Sequence, residues 1–176
     1  MNDLYTKEKL FALDAESLID RAFELKYIGG TYGSGITKPS KFICLLLKML
    51  QMQPSDAIVL ELIKNRDYRY IRALGVLYFR MTCHDAVKIY TTLEPLLADY
   101  RRLAMRQTDG KLVTLHMDEY VDMLLTEELF CGVSLPRLAL RSGLVEQKLL
   151  QERKSALNID EDEKPSRSSS RDSYKW

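Results

Sequence analysis

Between Phe42 and Met52 only Lys48 and Gln51 interrupt a run of Phe42, Ile43, Cys44, Leu45, Leu46, Leu47, Met49, Leu50 and Met52. A helix that is apolar on nearly every side must be surrounded by other elements, so this segment calls for a central helix and a shell around it. Pro39 is placed to open the helix where its missing N–H does no harm, and Pro54 with Ser55 ends it. The shell is legible on both sides. Asp14 is expected to cap a helix whose Ala15, Leu18, Ile19, Ala22 and Phe23 share a face continuing to Leu25 and Ile28, stopped by Gly29 and Gly30. Ser55 caps a helix carrying Ile58, Val59, Leu62 and Ile63. Asp67 caps the next, with Ile71, Leu74, Tyr78 and Met81 as its stripe.

Further along, Thr82-Cys83-His84-Asp85 has the form of a capping box. It opens a helix through Val87, Ile89, Tyr90 and Leu93 that must kink or restart at Pro95. The turn at Thr108 to Lys111 and the alternation of Lys111 to Leu115 read as one short hairpin arm. Asp118 is expected to cap a helix through Leu125, and a last helical stretch spans Leu135 to Ala156 with a break near Gly143. With Gly 8 and Pro 5 in 176 residues, turn formers are too scarce for a many-stranded sandwich or barrel. The expected fold is all-α: a compact multi-helix domain over residues 1–157 with at most a minor β-hairpin. The polar remainder, 158–176, runs from DEDE to SRSSSRDS and is expected to be a disordered acidic and Arg-Ser tail.

Charge and reactive side chains exclude several functions. Lys+Arg 26 against Asp+Glu 25 gives a net charge of +1, with none of the basic excess of a phosphate-binding protein. The longest unbroken apolar run, Phe42 to Leu47, is far short of a membrane span, and MNDLYTKEKLF lacks the apolar block of a signal peptide, so the chain reads as an intracellular soluble protein. Cys44, Cys83 and Cys131 are odd in number and widely spaced, fitting neither a disulfide framework nor a zinc pattern. His84 and His116 lack companions at metal-ligand spacing. A nucleophilic set of Cys131, His116 and Asp118 can be drawn, but no activated-thiol signature surrounds it. The cluster Gly29-Gly30-Thr31-Tyr32-Gly33-Ser34-Gly35 has exposed amides in series. It follows a helix rather than a strand and lacks the Gly-Lys-Ser/Thr of a phosphate loop, so it reads as a crossover whose glycines let the backbone pass under a neighbouring helix. No catalytic residue, cofactor or metal is expected. Ten tyrosines are the unusual count, and the Tyr68-Arg69-Tyr70-Ile71-Arg72 alternation places Tyr68 and Arg72 on one helix face. Tyrosine suits protein interfaces; half-buried packing at the core margin and RNA stacking are the competing readings.

The residues KYIGGTYGSGITKPSKFICLLLKMLQM, Lys26 to Met52, resemble the signature of the pre-mRNA-processing factor 38 family of spliceosomal proteins. Five blocks continue the resemblance in order: ELIKNRDYRY from Glu61, RALGVLYFRMT from Arg72, LEPLLADYR from Leu93, HMDEYVDMLL from His116 and LPRL from Leu135. It covers roughly Lys9 to Leu157. The family's usual lead-in before the first helix is not matched, and the glycine loop is one residue longer. The resemblance implies a helical domain without catalytic or metal site, which joins the nuclear spliceosome around the tri-snRNP stage, supports its activation and acts by holding other proteins. The implied partners are a C2H2 zinc-finger splicing protein and a microfibrillar-associated-protein-like splicing factor. No membrane or small-molecule substrate is implied. Tyr27, Tyr32, Tyr68, Arg72 and Tyr78 are the candidate partner-binding residues. A direct RNA-binding module within the spliceosome is the alternative, requiring a basic face that the net charge does not suggest.

Overall fold

A computed structural model describes residues 15–33 and 35–153 of the chain. Seven α-helices and three two-stranded antiparallel sheets occupy these residues, so the expected all-α class holds, with two small ribbons beyond the one hairpin foreseen. The order is α1 (Ala15–Phe23), β1 (Thr31–Tyr32), β2 (Lys38–Pro39), α2 (Lys41–Met52), α3 (Asp56–Lys64), α4 (Arg69–Thr82) and α5 (Ala86–Leu93). A 3-10 turn (Glu94–Ala98), β3 (Arg102–Arg106), β4 (Leu112–His116), α6 (Met117–Thr126), β5 (Leu129–Phe130), β6 (Val133–Ser134) and α7 (Arg141–Glu146) complete it. The Asp14 cap and the 158–176 tail lie outside the described residues. No helix among the described residues is long and apolar enough to cross a membrane.

The apolar helix α2 is interior as its sequence demands, with Phe42, Ile43, Cys44, Leu45, Leu46 and Met49 all buried. The centre of the domain is nevertheless α4, which packs on α1, α2, α3, α5 and α6. Every residue from Ile71 to Arg80 is buried, although that run holds two arginines and a tyrosine. Close approach of α3 to α4 depends on Gly75, because a Cβ there would stand 2.9 Å from the Leu62 Cβ. Full burial of a large apolar side chain stabilises by about 1.5–3 kcal/mol. The contiguous core formed by α1 to α6 is thus the main force for folding.

Several boundaries differ from those read off the sequence. Helix α1 ends at Phe23, before Gly29; Leu25 and Ile28 are still buried, but from an extended segment in which Ile28 pairs in parallel with Met105 on β3. Ser40, not Pro39, starts α2. Its hydroxyl accepts from the Ile43 N–H at 3.2 Å and donates to the Gly29 carbonyl at 2.5 Å, while Pro39 sits one residue earlier in β2. Tyr68 rather than Asp67 caps α4, because the Asn65 carboxamide oxygen accepts from the Asp67 and Tyr68 N–H groups at 3.0 and 2.9 Å and turns the chain first. The capping box at Thr82 does not form. Thr82 closes α4, and Asp85 alone caps α5 by accepting from Val87 and Lys88. His116, not Asp118, precedes α6, with the Glu119 carboxylate accepting from its N–H at 2.8 Å. Pro95 converts the end of α5 into the 3-10 turn, as its missing donor requires. Of the expected last helix, Arg141–Glu146 alone is helical among the described residues, and Leu135 to Leu140 form a strap without regular structure.

Candidate partner-binding surface

Two aromatic groups stand out on the surface, the second of them at the glycine crossover. In the first, Phe23 at the end of α1 meets Tyr68 edge to face with ring centroids 4.4 Å apart. The rings are 45% and 49% exposed, so about half of each large apolar face remains in water. They border a cleft of about 330 Å³ lined also by Leu25, Arg69 and Arg101. Tyr68 owes its position to the Asn65 turn, which sets it outside the α4 cylinder. Tyr70 turns inward, its hydroxyl accepting from the Ala104 N–H at 3.3 Å, which separates it from Tyr68 as helical spacing predicts.

The second group is built around Arg106 of β3. Its guanidinium carbon lies 4.6 Å from the Tyr27 ring centroid and 4.4 Å from that of Tyr32. One guanidinium N–H donates to the Tyr27 hydroxyl at 3.1 Å. Burial pushes the Tyr27 phenol up, partly offset by the Arg106 charge beside it. Stacking on a cation and a hydrogen bond hold both half-buried rings in fixed positions. The glycine crossover brings these residues together. Gly29 has φ +149, and a Cβ on it would meet the Arg106 carbonyl oxygen at 2.6 Å; one on Gly30 would overlap the Cys131 carbonyl oxygen at 1.8 Å. The glycines do let backbone pass close to a neighbour, but the neighbours are β3 and the β5–β6 turn, not the helix expected.

Two candidates are not on this surface. Tyr78 is 5% exposed and belongs to the core. Arg72 is 7% exposed, and its guanidinium donates to Asp99 at 2.6 Å and to the Lys64 carbonyl at 3.1 Å. Both lie on α4, which neighbours enclose on all sides, so the single exposed face assumed for that helix does not exist. Tyr27, Tyr32 and Tyr68 retain exposed or half-exposed rings. Phe23 and Arg106 were missed: Phe23 shares the apolar face of α1 in sequence, and nothing in RLAMR marks Arg106 as the cation between two tyrosines distant in sequence.

Asp99 anchors the polar interior. It accepts from Arg101 at 2.7 and 2.8 Å and from Arg72, and Arg101 also donates to the Arg66 carbonyl. The Arg101 hydrogen bonds, opposed by burial and aided by Arg72, hold its carboxyl down at about 2. Because the folded value lies below that of the unfolded chain, the stabilisation is complete above pH 4 and disappears as pH falls toward 2. The difference corresponds to about 2 kcal/mol. Acid unfolding followed by circular dichroism is expected to lose about that much stability between pH 4 and 2, and Asp99→Asn to lack this component of the slope.

No cluster of three or more His, Cys, Asp or Glu capable of holding a metal occurs among the described residues. Cys131 lies in the β5–β6 turn at φ +50. Burial pushes its thiol up to about 11, which keeps it protonated and poorly nucleophilic at neutral pH. His116 faces Glu119 at 3.3 Å. The geometry of the described residues is thus one of fixed aromatic groups at the surface of a helical domain and a polar interior occupied in holding the fold.

Comparison with known proteins places the chain in a family. The PRP38 family model matches residues 1–148, and the chain belongs to this family. It is 50% identical over 159 residues to pre-mRNA-splicing factor 38A of Xenopus laevis, covering 90% of this chain and 50% of that protein. It is 48% identical to pre-mRNA-splicing factor 38 of Arabidopsis thaliana, covering 90% of this chain and 44% of that one. The chain thus spans about half the length of the curated relatives it matches. A chain in the crystal structure of the Snu23-Prp38-MFAP1(217-258) complex of Chaetomium thermophilum superimposes with a TM-score of 0.82 at 34% identity, covering 89% of this chain and 80% of the other.

Proposed function

We propose that this chain is a non-catalytic scaffold of pre-mRNA splicing in the nucleus, which holds other splicing proteins and supports spliceosome activation. The likeness to a Prp38 complex containing Snu23 and an MFAP1 fragment carries the reading. The partners proposed are those two classes, a C2H2 zinc-finger splicing protein and a microfibrillar-associated-protein-like factor. Tyr27, Tyr32 and Tyr68, joined by Phe23, are the surface proposed to receive one of them. Rigid, half-exposed rings bury large apolar area at small entropic cost, which is how interface anchors work.

The full chain is expected to co-elute with either partner as a soluble 1:1 complex at micromolar concentration. The double variant Phe23→Ala with Tyr68→Ala should weaken one of the two complexes at least tenfold, read by isothermal titration, while its melting temperature stays within a few degrees of the parent. Failure of both partners to co-elute overturns the scaffold reading. Submicromolar RNA retention with steep salt dependence would instead establish the RNA-binding alternative.

A further inference from the structure

The β3–β4 hairpin has one edge closed and one edge open. In an antiparallel ladder, consecutive residues direct their backbone groups alternately toward and away from the partner strand. On β3, Ala104 and Arg106 point away from β4: the Ala104 carbonyl accepts from Ile28 and the Arg106 N–H donates to Ile28, both at 2.8 Å. Leu103 and Met105 therefore make the ladder to Leu115 and Val113, in phase with the Gln107–Lys111 and Met117–Arg101 bonds that continue it at 2.9 and 3.0 Å. The same alternation turns the backbone of Leu112, Thr114 and His116 outward. Glu119 takes the His116 N–H. The Leu112 and Thr114 N–H and C=O groups have no described partner, and Leu112, Val113 and Thr114 are all exposed. Leu112 is 57% and Val113 40% exposed.

A strand edge of this kind is a template for another strand, and proteins usually guard it with proline, lysine or a bulge. Leu112 to His116 contains no proline and no bulge in the register, and the nearest lysine, Lys111, stands just before it at the turn end. Its sequence also matches itself. A two-fold axis at Thr114 would set the strand antiparallel to a second copy with Thr114 opposite Thr114, Val113 opposite Leu115 and Leu112 opposite His116. Val113 then meets Leu115 and threonine meets threonine, both favourable cross-strand pairs, while the outer Leu112–His116 pairs bring no like charges together within the strand. Such self-complementarity about a dyad is what a closed symmetric dimer requires.

We propose that the outer edge of β4 pairs with β4 of a second copy of this chain, joining the two hairpins into one four-stranded antiparallel sheet centred on Thr114. The contact is one strand long, so the dimer is concentration-dependent. This interface uses the edge of the hairpin away from Ile28, with Leu112 the cross-strand neighbour of Arg106, and it does not rest on the scaffold reading.

Residues facing each other across the dyad are about 5.5 Å apart between Cα atoms, within disulfide reach. The Thr114→Cys variant of this chain is expected to form a covalent dimer under mild oxidation. Leu112→Cys should not, because its two copies would lie about 14 Å apart at about 3.4 Å per residue. The unsubstituted chain, with its three native cysteines, sets the background. Thr114→Lys, which places like charges on the dyad, should weaken self-association at least tenfold in sedimentation equilibrium; its side chain is in solvent, so its melting temperature should match the parent. Equal crosslinking of both cysteine variants, no crosslinking above background, or a parent chain that stays monomeric at hundreds of micromolar overturns the proposal. So does finding the edge occupied by a strand of another protein.

Discussion

Gly30→Ala is expected to be among the most destabilising single substitutions in this chain, costing about 3–5 kcal/mol. The added methyl would fall 1.8 Å from the Cys131 carbonyl oxygen, well inside contact distance, and the obstacle is backbone rather than a movable side-chain tip. Relief requires separating the crossover from the β5–β6 turn. Each side is fixed: the Gly30 carbonyl accepts from the Ser40 N–H at 2.9 Å, and Phe130 of β5 is 2% exposed and stacks edge to face on Tyr120 at 5.2 Å. For a domain of this size the melting temperature should fall by about 10–15 °C. Gly35→Ala, where a Cβ meets nothing within 4 Å, should leave it nearly unchanged. Thermal unfolding of the two variants side by side checks the claim, and equal effects would refute it.

Arg80→Met is expected to cost about 3 kcal/mol although it replaces a charge with an apolar side chain of similar length. Arg80 is 2% exposed and donates to the Leu124 carbonyl at 2.8 Å and to the Pro136 carbonyl at 2.7 Å. Leu124 lies in the last turn of α6, where carbonyls lack helical partners and the helix dipole favours a cation. Burial lowers the Arg80 pKa, but a guanidinium starts so high that it stays charged at neutral pH. Methionine would fill the space and leave two buried acceptors unsatisfied. The effect should be local as well as global, because Arg80 ties the Leu135–Leu140 strap to the helical body. Amide exchange in the strap should accelerate more in Arg80→Met than in Tyr90→Phe, which loses only the 3.0 Å bond to the Ala139 carbonyl. Unchanged strap exchange would show that the arginine does not fasten it.

Both predictions concern residues whose roles the sequence conceals. Gly30 stood out only as part of a cluster, since the atom it avoids lies about a hundred residues further along. Arg80 lies off the stripe of Ile71, Leu74, Tyr78 and Met81, where a one-faced helix would have left it in water. Arg72 misled for the same reason. Its four-residue spacing from Tyr68 suggested a shared surface, whereas Asp99 draws it inward and the Asn65 turn sets Tyr68 outside the helix. The missed Phe23 marks the opposite error: its place on the apolar face of α1 implied burial, but the helix ends there and its ring stays half in solvent.

What the sequence determined by itself was local and periodic. The all-apolar segment, the spacing of Leu, Ile and Val, the turn at Asp109-Gly110 and the scarcity of glycine and proline set the helical class, most of the helices and the hairpin, because such preferences act between residues a few positions apart. The ordered family motifs identified the lineage. The tertiary structure decided which helix lies at the centre, which arginines are interior and which tyrosines meet a cation. Burial and hydrogen bonding depend on atoms brought together from distant parts of the chain, and no local pattern encodes which neighbour will arrive.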